Sequence, residues 1–212
     1  MKLPPVIAAA IALGACTAAE PGPETAVPAA TQAWRTIATE RDRKRVREWR
    51  DAWISALQKA RAAGHGDEIA GEGALLQPDS AMIEAAPPTG DYRCRTIKIG
   101  AKSAGLLDYI AYPYFACRIA AAPGEGEGVL SFVKRTGSQR PVGRIFPESQ
   151  RRMIFLGTLQ LGDEQGVLKY GHDDERDQVA LVERVGERQW RLVFPYPAFE
   201  SVVDVIELLP AA

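Results

Sequence analysis

The stretch LLDYIAYPYFACRI, residues 106–119, decides the fold. Leu107, Tyr109, Ala111, Phe115, Cys117 and Ile119 share one parity, while Asp108, Tyr112, Tyr114 and Arg118 share the other. Strict alternation belongs to a β-strand with one face in a core and the other wetter, not to a helix, whose repeat is near 3.6 residues. Seven further β-prone runs surround it, at residues 92–99, 129–135, 141–146, 152–161, 178–185, 190–194 and 202–209. Turn residues part them, with hairpins expected at Gly137-Ser138-Gln139, at Gly186-Glu187-Arg188 and in the glycine-rich 124–128. Eight runs in about 120 residues leave no room for crossover helices, so the sheet is an antiparallel barrel or sandwich. Closure removes exposed edges, and the reading settles on an eight-stranded antiparallel β-barrel over residues 91–212.

Upstream the period changes. Residues 36–63 hold no Pro or Gly, and Val46, Trp49, Trp53, Leu57 and Ala60 recur at spacings of three and four, which predicts one amphipathic helix ended by Gly64 and Gly66. Arg43, Arg47 and Arg50 mark a second face; the segment carries eight basic and four acidic residues. That basic face is read as solvated, with contact to anionic headgroups as the sharper alternative. Residues 67–90 connect helix to barrel, with one short helix expected near 68–76. Helical segment 34–90 plus barrel makes the class α+β, mainly β.

The whole chain has 212 residues, 46% hydrophobic and 25% charged, with 26 basic against 27 acidic side chains. These values suit a globular protein. A formal charge of −1 argues against a nucleic-acid partner, which demands a basic surface. Two His and three Cys supply too few ligands for most zinc sites, and no metal or cofactor is expected. The oxygen-rich His172-Asp173-Asp174-Glu175-Arg176-Asp177 does not fit an EF-hand and reads as a solvated turn.

Residues 1–15 have the order of a signal peptide: Lys2, an apolar run from Val6 to Leu13, then Leu13-Gly14-Ala15-Cys16. The apolar run is far short of the ~20 residues that span a bilayer, so no transmembrane helix is expected. Residues 16–33, rich in Ala, Pro, Thr and Glu, read as a disordered tether. If Cys16 carries a lipid, Cys94 and Cys117 remain as an even pair in an oxidising compartment on neighbouring runs, which predicts a disulfide worth roughly 3 kcal/mol in the chain-entropy model. Two free thiols are the alternative.

Gly-x-Ser-x-Gly, Walker A, His-Glu-x-x-His and Cys-x-x-Cys are absent from the chain, and no catalytic residue is assigned. Arg140, Val142 and Arg144 share a parity beside the 137–139 turn. Ser138, Gln139, Arg140 and Arg144 are therefore the candidate binding patch, two guanidinium forks suited to carboxylate or phosphate.

Leu13-Gly14-Ala15-Cys16 resembles the lipobox of bacterial lipoproteins, which implies a lipid anchor on Cys16. Thr17 in place of Asp implies the periplasmic face of the outer membrane; cleavage after Ala19 would instead release a soluble periplasmic protein. Further, Trp49-Arg50-Asp51-Ala52-Trp53, Gly90-Asp91-Tyr92-Arg93-Cys94-Arg95, residues 136–144, Phe155-Leu156-Gly157-Thr158-Leu159 and residues 199–208 resemble a family of uncharacterised bacterial envelope proteins that carry a numbered domain of unknown function. The resemblance covers about residues 34–210 and brings no catalytic residues. More distantly, a tethered, disulfide-bearing small barrel is similar to lipocalin-like envelope modules such as periplasmic metalloprotease and lysozyme inhibitors. The expectation is a non-enzymatic binding module for a protein or envelope polymer. Ranked behind it are a lipocalin-type carrier of a small apolar ligand, which needs a cavity of at least ~300 Å³ inside the barrel, and an envelope hydrolase using Glu200 and Asp204 as paired carboxylates.

Overall fold

A computed structural model describes Met1 and residues 33–211. The expected signal peptide, the tether and Cys16 fall on residues outside that set, apart from Met1 and Ala33. Among the described residues, five helical pieces precede the sheet: α1 (Ala33–Ile37), α2 (Glu40–Arg47), α3 (Trp49–Ala62), α4 (Gly66–Gly71) and a 3₁₀ turn, Gly73–Leu76. Nine strands follow: β1 (Gly90–Ala101), β2 (Tyr109–Ala111), β3 (Phe115–Ala121), β4 (Leu130–Lys134), β5 (Gln139–Ser149), β6 (Arg152–Leu161), β7 (Asp177–Gly186), β8 (Gln189–Pro195) and β9 (Ser201–Pro210).

β1 and β3 to β9 pair in sequence order, and β9 pairs back onto β1, from Tyr92 opposite Pro210 to Ala101 opposite Ser201. Eight antiparallel strands thus close a barrel, as the alternation predicts. The run at 106–119 departs from expectation. It forms two strands, β2 against Ile97–Ile99 and β3 against Gly90–Cys94, with Pro113 in the break. Proline has no N–H for a ladder, so one continuous strand cannot run through it. The predicted core parity holds in β3, where Cys117 and Ile119 are buried, and fails before it, where Leu107 is 63% exposed.

Helix 36–63 is likewise a correction. Thr39 adopts an extended backbone (φ −63°, ψ 157°) and its side chain accepts a hydrogen bond from the Asp42 amide, which starts α2 afresh. Glu48, at φ −97° and ψ 9°, then separates α2 from α3. Trp53, Leu57 and Ala60 of α3 are buried as predicted, and Ala52 and Ala56 are buried with them; Val46 and Trp49 are only partly so.

Two cores lie on the two faces of the same strands. Ile97 and Ile99 of β1, Leu181 of β7, Val193 of β8 and Val203 and Val205 of β9 point outward under the helices. Tyr92 and Cys94 of β1, Phe132, Phe155, Leu192, Phe194, Ile206 and Leu208 point inward. Phe155 meets Phe132 and Phe194 edge-on, each at 5.8 Å between centroids. The Cys94–Cys117 disulfide joins β1 to β3 inside this core. Helix α3 crosses β1 at Gly100, where φ is +72° and a Cβ would stand 2.9 Å from the Ala56 Cα. The helices therefore cover the barrel wall and leave its mouth clear.

Candidate functional site at the barrel mouth

Inward parity continues past the apolar core to one open end of the barrel, and there it turns polar. On β1 the series Tyr92, Cys94, Thr96 ends at Lys98; on β4 the series Leu130, Phe132 ends at Lys134. Both lysines are enclosed, at 5% and 4% exposure. With Thr96, Tyr112, Phe115, Ser138, Gln139 and Glu200 they line a cavity of about 150 Å³. A cavity of about 20 Å³ adjoins it through the shared Thr96 and Gln139, floored by Leu159, Gln178, Phe194 and Ile206.

The two lysines are treated differently. Lys98 lies 2.9 Å from Asp204 and 3.1 Å from Glu200. Burial alone pulls its ammonium down, but the two carboxylates outweigh that and hold it above its ordinary range. Asp204 also accepts from the Ser201 hydroxyl, and Glu200 holds a left-handed backbone, φ 65°, at the rim. Lys134 donates to the Gln139 carbonyl at 2.9 Å and lies 4.1 Å over the Phe115 ring. Among the described residues it has no carboxylate partner. Burial first, then the like charges of Lys98 and Arg140, push it down to about 8. The Gln178 Oε1 is buried without a hydrogen-bond partner. The hydroxyls of Thr96, Tyr112 and Ser138 also make no hydrogen bond among the described residues.

The turn that carries Ser138 is fixed by Gly137. Its φ of +92° suits glycine, and a Cβ there would lie 2.9 Å from the Lys134 Nζ and 3.1 Å from the Phe115 ring. Local backbone and buried cation are thus packed as one unit.

The predicted patch divides between two places. Ser138 and Gln139 belong to the mouth. Arg140 and Arg144 do share an outward face of β5, yet their guanidinium groups do not converge. Arg140 donates to the carbonyls of Gly137, Leu161 and Gly162, sealing the β5–β6 end. Arg144 pairs with Glu125 at an outer groove of about 400 Å³, whose lining includes Ile37, Val142, Phe146, Leu156, Val167 and Leu168. Glu200 and Asp204 do meet at the mouth, both on Lys98.

Lys98 and Lys134 were missed by sequence reasoning, although a signal was present. Each lysine falls on the core parity of its own run, two positions beyond an inward residue. Among the described residues, aromatic side chains and the disulfide pack the barrel interior, and the two cavities at its mouth, about 150 and 20 Å³, are each smaller than the ~300 Å³ that a carrier needs.

Comparison with known proteins agrees with this architecture in extent. The family model described as Domain of unknown function (DUF4893) matches residues 34–208, helices and barrel together. The chain belongs to the DUF4893 family. No curated protein and no solved structure matches it. Within this DUF4893 chain, the matched span begins at Trp34, whose indole donates to Glu148 on β5 and so ties α1 to the barrel.

Proposed function

We propose that this DUF4893 chain is a non-enzymatic binding module of the bacterial envelope, held by a lipid on Cys16 at the periplasmic face of the outer membrane, where its barrel mouth grips a protein or envelope polymer. The observation that carries the reading is the enclosed Lys134 ammonium, which has no carboxylate partner among the described residues in a cavity bordered by uncommitted hydroxyls. An uncompensated buried charge costs stability, and a protein keeps such a group where a ligand supplies the counter-charge. The Cys94–Cys117 bridge fits an oxidising compartment. Glu200 and Asp204 suit catalysis poorly, because both are committed to the single Lys98 ammonium.

A photo-crosslinking residue in place of Ser138, in intact cells, tests the reading. Capture of one defined envelope partner, lost on Lys134→Met, is expected. Capture that is absent, or indifferent to Lys134, overturns it. Cys16→Ser is expected to move the protein from the membrane fraction to the soluble periplasm; a protein already soluble when Cys16 is present contradicts the anchor.

A further inference from the structure

We infer that the mouth is a site for a single carboxylate group on a body no larger than about one residue, with Lys134 as its counter-ion and Gln178 as acceptor for a neighbouring N–H or O–H donor. The inference deepens the reading above by naming the chemistry that the mouth recognises.

Three observations converge on it. The first is geometric. A cavity of about 150 Å³ admits the end of a chain or a small acid, and not the middle of a polymer strand. Lys134 Nζ makes one hydrogen bond, to the Gln139 carbonyl, so two of the three ammonium donors remain for a ligand. The second is the Gln178 Oε1, buried on the same inward face in the adjoining cavity and lacking any donor. A buried acceptor without a donor costs about 1–3 kcal/mol, and a ligand N–H or O–H relieves that cost. The third is charge. Glu200 and Asp204 are both committed to Lys98, so Lys134, the other cation lining the mouth, is left without a close counter-charge among the described residues. A monoanion on Lys134 supplies that counter-charge. A phosphate dianion brings more negative charge than one ammonium balances, beside Glu200, which lines the same cavity. Tyr112 and Thr96 add hydroxyls on the β1–β2 side.

The carboxylate has two possible sources, a free small acid or the terminus of a polypeptide, and titration of the full-length protein separates them. Calorimetry with N-acetylglycine, N-acetylglycinamide, inorganic phosphate, and one short peptide bearing either a free or an amidated C-terminus gives the comparison. Saturable binding of N-acetylglycine is expected, with at least tenfold loss for its amide and for phosphate. Tighter binding of the free-acid peptide than of N-acetylglycine assigns a chain terminus; equal or weaker binding assigns a small acid. Lys134→Met abolishes binding, Gln178→Leu weakens it, and Arg144→Ala leaves it unchanged, each with a cooperative melt retained. Should Lys134→Met not fold, Lys134→Gln and Gln178→Leu carry the same test. Equal binding of acid and amide, unchanged binding in a folded Lys134 variant, or no saturable binding by any probe overturns the inference. If these probes fail while crosslinking at Ser138 still captures a Lys134-dependent partner, the binding-module reading stands and the carboxylate assignment falls.

Discussion

Lys134 is an expensive residue where it stands. Its ammonium ordinarily releases its proton near 10.5, and burial beside Lys98 and Arg140 lowers that to about 8. The native protein therefore binds fewer protons than the unfolded chain between those values, and this group's contribution to stability rises with pH across that window. Below pH 8 both states are protonated and the full penalty is present. Replacing Lys134 with Met, which keeps the stem and removes the charge, is expected to stabilise the ligand-free protein at pH 7 by about 1–3 kcal/mol, several degrees in melting temperature. Thermal melts at pH 7 and pH 9.5 check this: the gap between variant and parent narrows at the higher pH. A variant that melts lower at pH 7 shows that Lys134 is structural. Glu200 and Asp204, both on Lys98, act in the opposite sense on that neighbour. Lys98→Met is therefore expected to destabilise, because it leaves two carboxylates without their cation.

Arg191 and Glu183 link the 3₁₀ turn to the barrel. Both are fully enclosed, and the Arg191 Nη2 lies 2.6 Å from the Glu183 carboxylate. The same guanidinium donates to the carbonyls of Ala74, Leu75, Gln77 and Pro78, which closes the C-terminal end of Gly73–Leu76, and it lies 4.4 Å from the Trp53 ring. Arg191→Met is expected to cost about 3–5 kcal/mol in chemical denaturation, since it strips the buried Glu183 carboxylate of one of its two arginine partners, Arg152 being the other, and frees the carbonyls of the turn, with less cost once Glu183→Leu is added. At the α2 start, Thr39→Ala is expected to cost about 1 kcal/mol through loss of its cap. These elements show what can be read from a sequence and what cannot. β-prone runs parted by turn residues placed β1 and β3 to β9, and alternation in 106–119 marked the buried side of β3, because period two follows directly from burying one side of a pleated strand. Apolar spacing found the α3 face, Trp53, Leu57 and Ala60. It did not see Thr39 or Glu48 break the helix, because a threonine reads as a cap only when the backbone around it is known. Pro113 was visible and should have split the run at 106–119. Lys134 stayed hidden because a lysine is by default assigned to water, and only the barrel's curvature shows that its strand ends inside.

For the whole molecule, one rigid frame serves both cores. The disulfide fastens β1 to β3 at the place where a broken run replaces a continuous strand, and it closes a loop of sequence separation 23. Cys94→Ala with Cys117→Ala is expected to lower stability by roughly 3 kcal/mol, measured in guanidinium, with the barrel still formed. Helices on the wall and a closed sheet leave the mouth as the place where a buried cation meets solvent-facing hydroxyls. NMR of the lysine side chains through a pH titration, with and without N-acetylglycine, tests that claim most directly. The account predicts one lysine, removed by Lys134→Met, that titrates at about 8 alone and distinctly higher when N-acetylglycine is present. A Lys134 that titrates like the surface lysines, or that ignores the ligand, contradicts it.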